Sequence, residues 1–102
     1  MKFCNAGQVC VTPNRVFVES SVRKVFQQKV LERAQSLKLG FDRHADIDMG
    51  PLIDALACQR VDQEALGRGA TLLIGGGRPR GMDQGLYNTP TVLVDIDSTM
   101  RP

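Results

Sequence analysis

Apolar residues recur at helical spacing in two stretches of the chain. Over Ser21–Lys38 they alternate with charged and amide side chains in a pattern that predicts an amphipathic helix, and Gly40 stands where a C-terminal cap is expected. A second helix is predicted to open at Pro51, whose fixed φ and missing N–H suit the first helical position. It is expected to end at Gly67 or Gly69. Its apolar face has strict four-residue spacing: Ile53, Ala57, Val61 and Ala65.

Three shorter runs of β-branched and apolar residues predict strands. Arg15–Glu19 lies between polar turn residues and is expected to form a buried strand. Ala70–Ile74 and Thr91–Ile96 are predicted as further strands, separated by a glycine-rich loop over Gly75–Gly85. The order β-α-α-β-β predicts an α/β or α+β fold in which the three strands share one sheet and the two helices pack on it. Residues 1–102 are interpreted as a single domain.

Composition and charge narrow the function classes only slightly. With 42% apolar and 24% charged residues, the chain has the composition of a globular protein. The net charge of +2 gives no indication of a nucleic-acid partner, which calls for a clustered basic face. No apolar run approaches the ~18 residues that cross a bilayer, and no signal-peptide core follows the first residues. A cytoplasmic protein with neither a nucleic-acid nor a membrane partner is therefore expected.

Disulfide and zinc chemistry are not indicated by the sequence. The three cysteines, Cys4, Cys10 and Cys58, include no C-x-x-C pair, and His44 is the single histidine. Neither a disulfide framework nor a Cys/His zinc site can therefore be assembled within the chain. We expect His44 to be exposed to solvent within the polar connector Asp42–Gly50.

Two further sets of residues are assigned structural roles. Asp46 and Asp48 could pair as acid and base, but no apolar pocket near them separates their pKa values, so they are predicted to cap the following helix. The cluster Gly75–Gly77 matches a nucleotide-binding loop only if position 80 is glycine or position 82 is lysine. Those positions hold Arg80 and Met82. A surface loop with solvated arginines is therefore predicted.

Candidate chemistry lies before the first predicted strand, at Cys10. The thiol follows a glycine-containing turn, Gly7–Val9, and precedes Arg15–Glu19. A cysteine held rigidly at the edge of a sheet can be approached by a ligand, as a nucleophile must be. A lone cysteine is nevertheless more often a small buried hydrophobe, so its position alone leaves both interpretations open.

The residues around the thiol form a longer pattern, Phe-x-Asn-x-Gly-Gln-x-Cys with a downstream arginine: Phe3, Asn5, Gly7, Gln8, Cys10 and Arg15. This pattern resembles the active-site signature of the NAD(P)-dependent aldehyde dehydrogenases. Met49–Ile53 is similar to the family's segment that opens the next helix, and Tyr87–Leu93 is similar to its Y-x-x-P-T-V-L strand. The resemblance extends over essentially the whole chain and implies a partial α/β catalytic domain.

The resemblance implies a mechanism in which Cys10 is the catalytic nucleophile. Its thiolate adds to the carbonyl of a small aldehyde, hydride transfer to NAD or NADP leaves a thioester, and water releases the carboxylate. The backbone N–H of Cys10 is implied as one donor to the developing oxyanion. The other motif residues are interpreted as shaping the turn, and no residue is assigned to the cofactor or to a metal. A homo-oligomer is expected.

Family members run to several times this length, so the sequence is interpreted as a fragment that starts at the cysteine motif. On this interpretation the cofactor domain, the oxyanion asparagine and the general-base glutamate precede it, and the isolated chain is expected to be inactive. Cys4 stands where members specific for succinate semialdehyde usually carry an arginine, so the aldehyde is left unnamed. The alternative is a non-enzymatic module that self-associates or binds another chain through unpaired strand edges.

Overall fold

A computed structural model of the chain describes residues 2–42, 44–58 and 69–100. Within this part the fold combines helix with a small sheet, which confirms the predicted α/β class as a partial α/β domain. Residues 55–58 are also helical. In chain order the elements are a short 3-10 turn (Cys4–Gly7), helix α1 (Arg23–Gln35), strand β1 (Thr71–Ile74) and strand β2 (Val92–Val94).

The two strands form one antiparallel ribbon. Thr71 lies opposite Val94 and Ile74 lies opposite Val92, with a register irregularity between Leu72 and Ile74. These are the cores of the predicted strands Ala70–Ile74 and Thr91–Ile96, both confirmed with shorter ends. The intervening residues form the predicted loop, so the hairpin encloses a long irregular connection rather than a tight turn.

The strand predicted over Arg15–Glu19 is wrong. This segment belongs to no strand, and the Phe17 side chain is 95% exposed while Val16 is 60% exposed. Apolar β-branched and aromatic residues favour a pleated, half-buried surface, but a strand forms only where a second strand completes its hydrogen bonds. In the described ranges nothing pairs with Arg15–Glu19, so the sheet holds two strands where the pattern predicted three.

The first predicted helix is confirmed as α1, although it ends earlier than its pattern suggested. Its predicted apolar face is wrong in the described part of the chain, because most of those side chains are exposed and Ala34 is the buried residue of α1. The N–H of Ser36 donates to the Glu32 carbonyl at 3.1 Å, and its hydroxyl donates to the Arg33 carbonyl at 2.9 Å. Ser36 therefore ends the helix, and Gly40 does not cap it. A Cβ at Gly40 would lie 2.6 Å from Ile47 Cδ1, the end of a flexible side chain, which would have to shift to make room for it.

The second predicted helix starts later than Pro51. Its described turn covers residues 55–58, and the Asp54 carboxylate accepts a hydrogen bond from the Ala57 N–H at 2.7 Å. Asp54 therefore occupies the N-cap position, which satisfies one N–H of the first turn. Of the rest of this prediction, Val61, Ala65 and Gly67 lie outside the described residues.

The described part of the chain has a small core, and backbone hydrogen bonds tie the connector after α1 to it. Leu39 and Met49 form a parallel bridge, and the Gly40 N–H donates to the Met49 carbonyl at 3.1 Å. The Leu52 N–H donates to the Leu86 carbonyl at 2.8 Å. These bonds fix the segment 49–53 against the loop that precedes β2. The buried apolar residues are Ala34, Met49, Leu52 and Met100.

Candidate active site

The backbone before Cys10 follows an unusual left-handed path. Asn5, Ala6 and Gly7 have φ values of 50°, 55° and 79° in succession. Glycine adopts this region freely and asparagine tolerates it, but an alanine there costs roughly 1–2 kcal/mol. The Gln8 N–H closes the turn by donating to the Asn5 carbonyl at 3.0 Å. The turn is therefore strained at Ala6 and must be held by contacts outside it.

The side chain of Gln8 supplies such contacts. Its Oε1 accepts a hydrogen bond from the Ile53 N–H at 2.8 Å, and its Nε2 donates to the Asn5 carbonyl at 3.0 Å. Both partners are backbone groups with fixed donor and acceptor roles, so they determine which end of the amide faces which partner. Gln8 thus connects the left-handed turn with the segment 49–53. The sequence motif contains Gln8, but nothing in the sequence indicated that Ile53 is its partner.

Cys10 lies two residues beyond this contact and is exposed. The next turn is closed by the Thr12 N–H, which donates to the Val9 carbonyl at 2.9 Å. The buried-hydrophobe interpretation therefore does not apply to Cys10. Its expected setting at the edge of a sheet is also wrong, because the segment that follows belongs to no strand among the described residues. The thiol projects from a turn that is closed on both sides.

Lys2 and Asn14 join the two ends of the motif. The Lys2 ammonium group donates to Asn14 Oδ1 at 2.7 Å across twelve residues of sequence. Partial burial of the ammonium group lowers the pKa of Lys2 below its ordinary value, because desolvation disfavours the charged form. The loop that carries Cys10 is therefore tied at its base as well as at Gln8.

A groove of about 610 Å³ lies beside the turn. Asn5 and Gln8 form one wall, and the other wall comes from residues of the segment 51–57. A second groove of about 530 Å³ lies between the end of α1 and the glycine cluster Gly75–Gly77. Cys10 lines neither groove. The first groove adjoins the cysteine motif through Asn5 and Gln8, whereas no motif residue lines the second.

The glycine cluster forms a structural loop, as predicted. Gly75–Gly77 follow β1 but lead into an irregular loop and not into a helix, so they lack the strand–turn–helix arrangement that cradles a pyrophosphate. The Gly76 N–H donates instead to Thr91 Oγ1 at 3.0 Å. The residues of this loop, as far as the structure describes it, do not fit a dinucleotide.

Arg78 has a role that the sequence did not predict. Its Nη1 donates to the carbonyls of Asp83 at 3.0 Å and Gly85 at 2.7 Å, and more weakly to that of Met82 at 3.4 Å. Arg78 is exposed, as predicted for the loop arginines, but its side chain also bonds to the carbonyls of the loop and so connects its two ends. Three carbonyl contacts occupy this nitrogen, which leaves it unsuited to holding a phosphate.

The acidic residues of the connector contact Lys38, three residues beyond the end of α1. Asp46 forms an ion pair with Lys38 at 2.6 Å, and Asp48 accepts a hydrogen bond from the Lys38 N–H at 3.0 Å. The prediction that both cap the following helix is wrong, because that helix is capped by Asp54. The hydrogen bond and charge of Lys38 hold the pKa of Asp46 below its ordinary value.

His44 is exposed, as predicted. Across residues 2–42, 44–58 and 69–100 no group of three acidic, histidine or cysteine side chains could hold a metal.

The comparisons with known proteins agree on one class. The chain matches the model of the aldehyde dehydrogenase family over residues 1–102. It is 38% identical over 103 residues to a probable succinate-semialdehyde dehydrogenase [NADP(+)] of Sinorhizobium fredii, covering 98% of this chain and 21% of that relative. The chain therefore belongs to the aldehyde dehydrogenase family.

The fold of the chain is also similar to solved structures of aldehyde dehydrogenases. Lactaldehyde dehydrogenase from Escherichia coli superposes with a TM-score of 0.86 at 36% identity, over 97% of this chain and 21% of that one. A Mycobacterium tuberculosis aldehyde dehydrogenase complexed with NAD+ superposes with a TM-score of 0.89 at 33% identity, with the same coverage of 97% and 21%. The chain thus spans about a fifth of the length of the relatives it matches. No helix in its described part has the length and apolar character needed to span a membrane.

Proposed function

We propose that Cys10 is the nucleophile of an enzyme that oxidises a small aldehyde to a carboxylate with NAD or NADP. The observation that carries this proposal is an exposed thiol placed three residues after a left-handed turn that Gln8 fixes to the segment 49–53, in a chain of the aldehyde dehydrogenase family. Accessibility and rigid placement are what a nucleophilic thiol requires. NAD in the Mycobacterium tuberculosis relative is consistent with this cofactor class.

The contribution of this chain to the reaction is the covalent step. The Cys10 thiolate attacks the aldehyde carbon, a C–S bond forms, and the carbonyl π electrons move to the oxygen, which gives a thiohemiacetal anion. The backbone N–H of Cys10 is proposed as one donor to that oxygen, since a main-chain amide on a fixed turn can stabilise the charge as it develops. NAD(P) supplies the hydride acceptor of the overall reaction.

The same proposal implies where the protein acts and which partners it has. The chain is proposed to act in the cytoplasm on a small aldehyde and without nucleic-acid or membrane partners, since its net charge is only +2. By itself it is expected neither to bind NAD tightly nor to oxidise aldehydes. Hydride transfer needs a nicotinamide held within about 3.5 Å of the reacting carbon, and the glycine loop does not fit a dinucleotide.

Site-resolved acylation tests the nucleophile without any cofactor. The folded chain is treated with p-nitrophenyl acetate, and acetyl thioesters are located by mass spectrometry at the three cysteines, with Cys10→Ala as the control. We expect Cys10 to be acylated several times faster than Cys4, which is also exposed. After unfolding in urea the two rates should converge. Equal labelling of Cys4 and Cys10 in the folded chain would overturn the assignment.

A second function, self-association, is favoured by one specific feature. Val11, Val16 and Phe17 lie within seven residues of one another and expose 71%, 60% and 95% of their surface, on a segment that pairs with no strand in the described part of the chain. Exposed apolar residues on an unpaired segment are typical of an association surface. Sedimentation at tens of micromolar is expected to show a homo-oligomer that Phe17→Asp dissociates, and a monomeric wild-type chain would exclude it.

A further inference from the structure

The side chain of Gln8 holds together two segments that are far apart in sequence. Its Oε1 accepts the Ile53 N–H at 2.8 Å across 45 residues, while its Nε2 and its own backbone N–H both donate to the Asn5 carbonyl at 3.0 Å. Within the described residues, Gln8 therefore carries the hydrogen bond that joins the turn to segment 49–53. Only Val9 separates it from Cys10.

Segment 49–53 is itself well fixed, which makes it a suitable anchor. Met49 and Leu52 are buried, with 5% and 8% of their surface exposed. The Leu52 N–H is bonded to the Leu86 carbonyl at 2.8 Å, so the peptide next to Ile53 is held by the loop that precedes β2. A continuous set of hydrogen bonds runs from Leu86 through this segment and Gln8 to the strained turn. Together with the Lys2–Asn14 hydrogen bond, this connection holds the loop that carries Cys10.

We propose that Gln8 is a positioning residue for Cys10: its amide aligns the Cys10 thiol and backbone N–H by fixing the left-handed turn to the Ile53 peptide. This inference rests on the proposed function of Cys10 as the nucleophile. Gln8 contacts neither the substrate nor the reacting atoms in this proposal. Gln8 determines how the oxyanion donor is oriented. The cysteine motif therefore needs Gln8 for this orientation as well as for the shape of the turn.

Comparing two reactions of the same thiol tests this role in the intact 102-residue chain. In acylation by p-nitrophenyl acetate, Cys10 Sγ attacks the ester carbon, the C–S bond forms, the bond to p-nitrophenolate breaks with its electron pair, and the thiol proton passes to buffer. That reaction goes through an oxyanion, which the Cys10 N–H can stabilise. Alkylation by iodoacetamide displaces iodide from a saturated carbon and forms no oxyanion. The ratio of the two rates therefore reports on alignment and not on exposure.

Gln8→Met preserves the length of the side chain and removes both hydrogen bonds. We expect it to lower acylation of Cys10 about tenfold, because one oxyanion donor loses its alignment, and to change alkylation little. The matched control is Gln28→Met, which removes a glutamine whose Nε2 donates to Glu32 at 3.0 Å on α1. This control should leave both rates unchanged. Gln8→Glu keeps an acceptor for Ile53 but loses the donor to Asn5, and its rate ratio should fall between wild type and Gln8→Met.

The outcomes separate the two proposals. If wild-type Cys10 is acylated selectively and Gln8→Met leaves the ratio of acylation to alkylation unchanged, Gln8 has no positioning role and Cys10 remains the nucleophile. If wild-type Cys10 is acylated no faster than Cys4, the proposed function fails and the positioning role fails with it. Alkylation of Cys58 at its unfolded rate shows that Gln8→Met does not fold. In that case an unchanged ratio in Gln8→Glu overturns the positioning role.

Discussion

Gly75, at the end of β1, offers a test of the loop geometry beside the hairpin. Its φ is +87°, and a Cβ added there would lie 2.4 Å from the Pro90 carbonyl oxygen and 2.7 Å from the Thr91 Cα. Those atoms belong to the backbone that leads into β2, so they cannot move aside without displacing the strand. Gly75→Ala therefore combines a left-handed alanine with a backbone clash.

Two other glycines separate these contributions. Gly81 has a φ of +77° and open space around its Cα, so Gly81→Ala meets only the conformational penalty of roughly 1–2 kcal/mol. Gly77 has neither a positive φ nor a close neighbour, and Gly77→Ala should be neutral or stabilise by at most about 1 kcal/mol. Adding an overpacking term of roughly 1–3 kcal/mol, Gly75→Ala should cost about 2–5 kcal/mol.

Urea unfolding followed by far-ultraviolet circular dichroism measures this series. The free energy of unfolding should decrease in the order Gly77→Ala, Gly81→Ala, Gly75→Ala, at an unchanged slope against urea. Equal losses for Gly75→Ala and Gly81→Ala would show that no backbone atom approaches Gly75 as closely as described. A large loss in Gly77→Ala would contradict the open surroundings of the loop.

Three further outcomes are expected. The hydrogen bond from Arg23 at 2.6 Å, with a second from Thr71, holds the pKa of Asp95 below its ordinary value. The stability that this carboxylate contributes is complete above about pH 4 and is lost as the pH falls through the lower folded-state pKa. The urea midpoint should therefore drop less steeply below pH 4 in Asp95→Asn than in wild type, and parallel profiles would contradict the ion pair. Arg78→Met should speed limited proteolysis of residues 78–85 severalfold, whereas Arg80→Met should not, and equal cleavage would show that Arg78 does not hold the loop. The purified chain with NAD and an aldehyde should give no NADH, and NADH formation abolished by Cys10→Ala would show that this chain suffices for the reaction.

Local patterns predicted the elements whose partners lie close by in the described chain. The apolar spacing predicted helix α1. Strands β1 and β2 are separated by one loop and pair with each other, so their β-branched runs were sufficient to predict both strands. Arg15–Glu19 carries an equally strong strand pattern but pairs with no strand that the structure describes. Propensity describes how side chains suit a sheet and does not specify the neighbouring strand, so sequence could not predict this difference.

The candidate site was likewise predictable only in part. The motif around Cys10 and the family resemblance identified the thiol and the residues of the turn. The contact between Gln8 and Ile53 joins positions 45 residues apart, and it involves a backbone N–H that any residue except proline would supply. Side-chain identity therefore carries no signal for it. The contacts of Arg78 in the glycine loop were missed for a similar reason, because this side chain bonds to carbonyls that are independent of residue type.

The central claim is that this chain carries the aldehyde-attacking thiol of an aldehyde dehydrogenase at Cys10. The most direct test places the chain in the Mycobacterium tuberculosis aldehyde dehydrogenase that is complexed with NAD+, in exchange for the 21% of that protein with which it superposes. NADH formation from an aldehyde is then compared between this chimera and its Cys10→Ala variant. We expect NADH formation that Cys10→Ala abolishes while NAD binding persists. NADH formation that survives Cys10→Ala, or a chimera that binds NAD but oxidises no aldehyde, would contradict the claim.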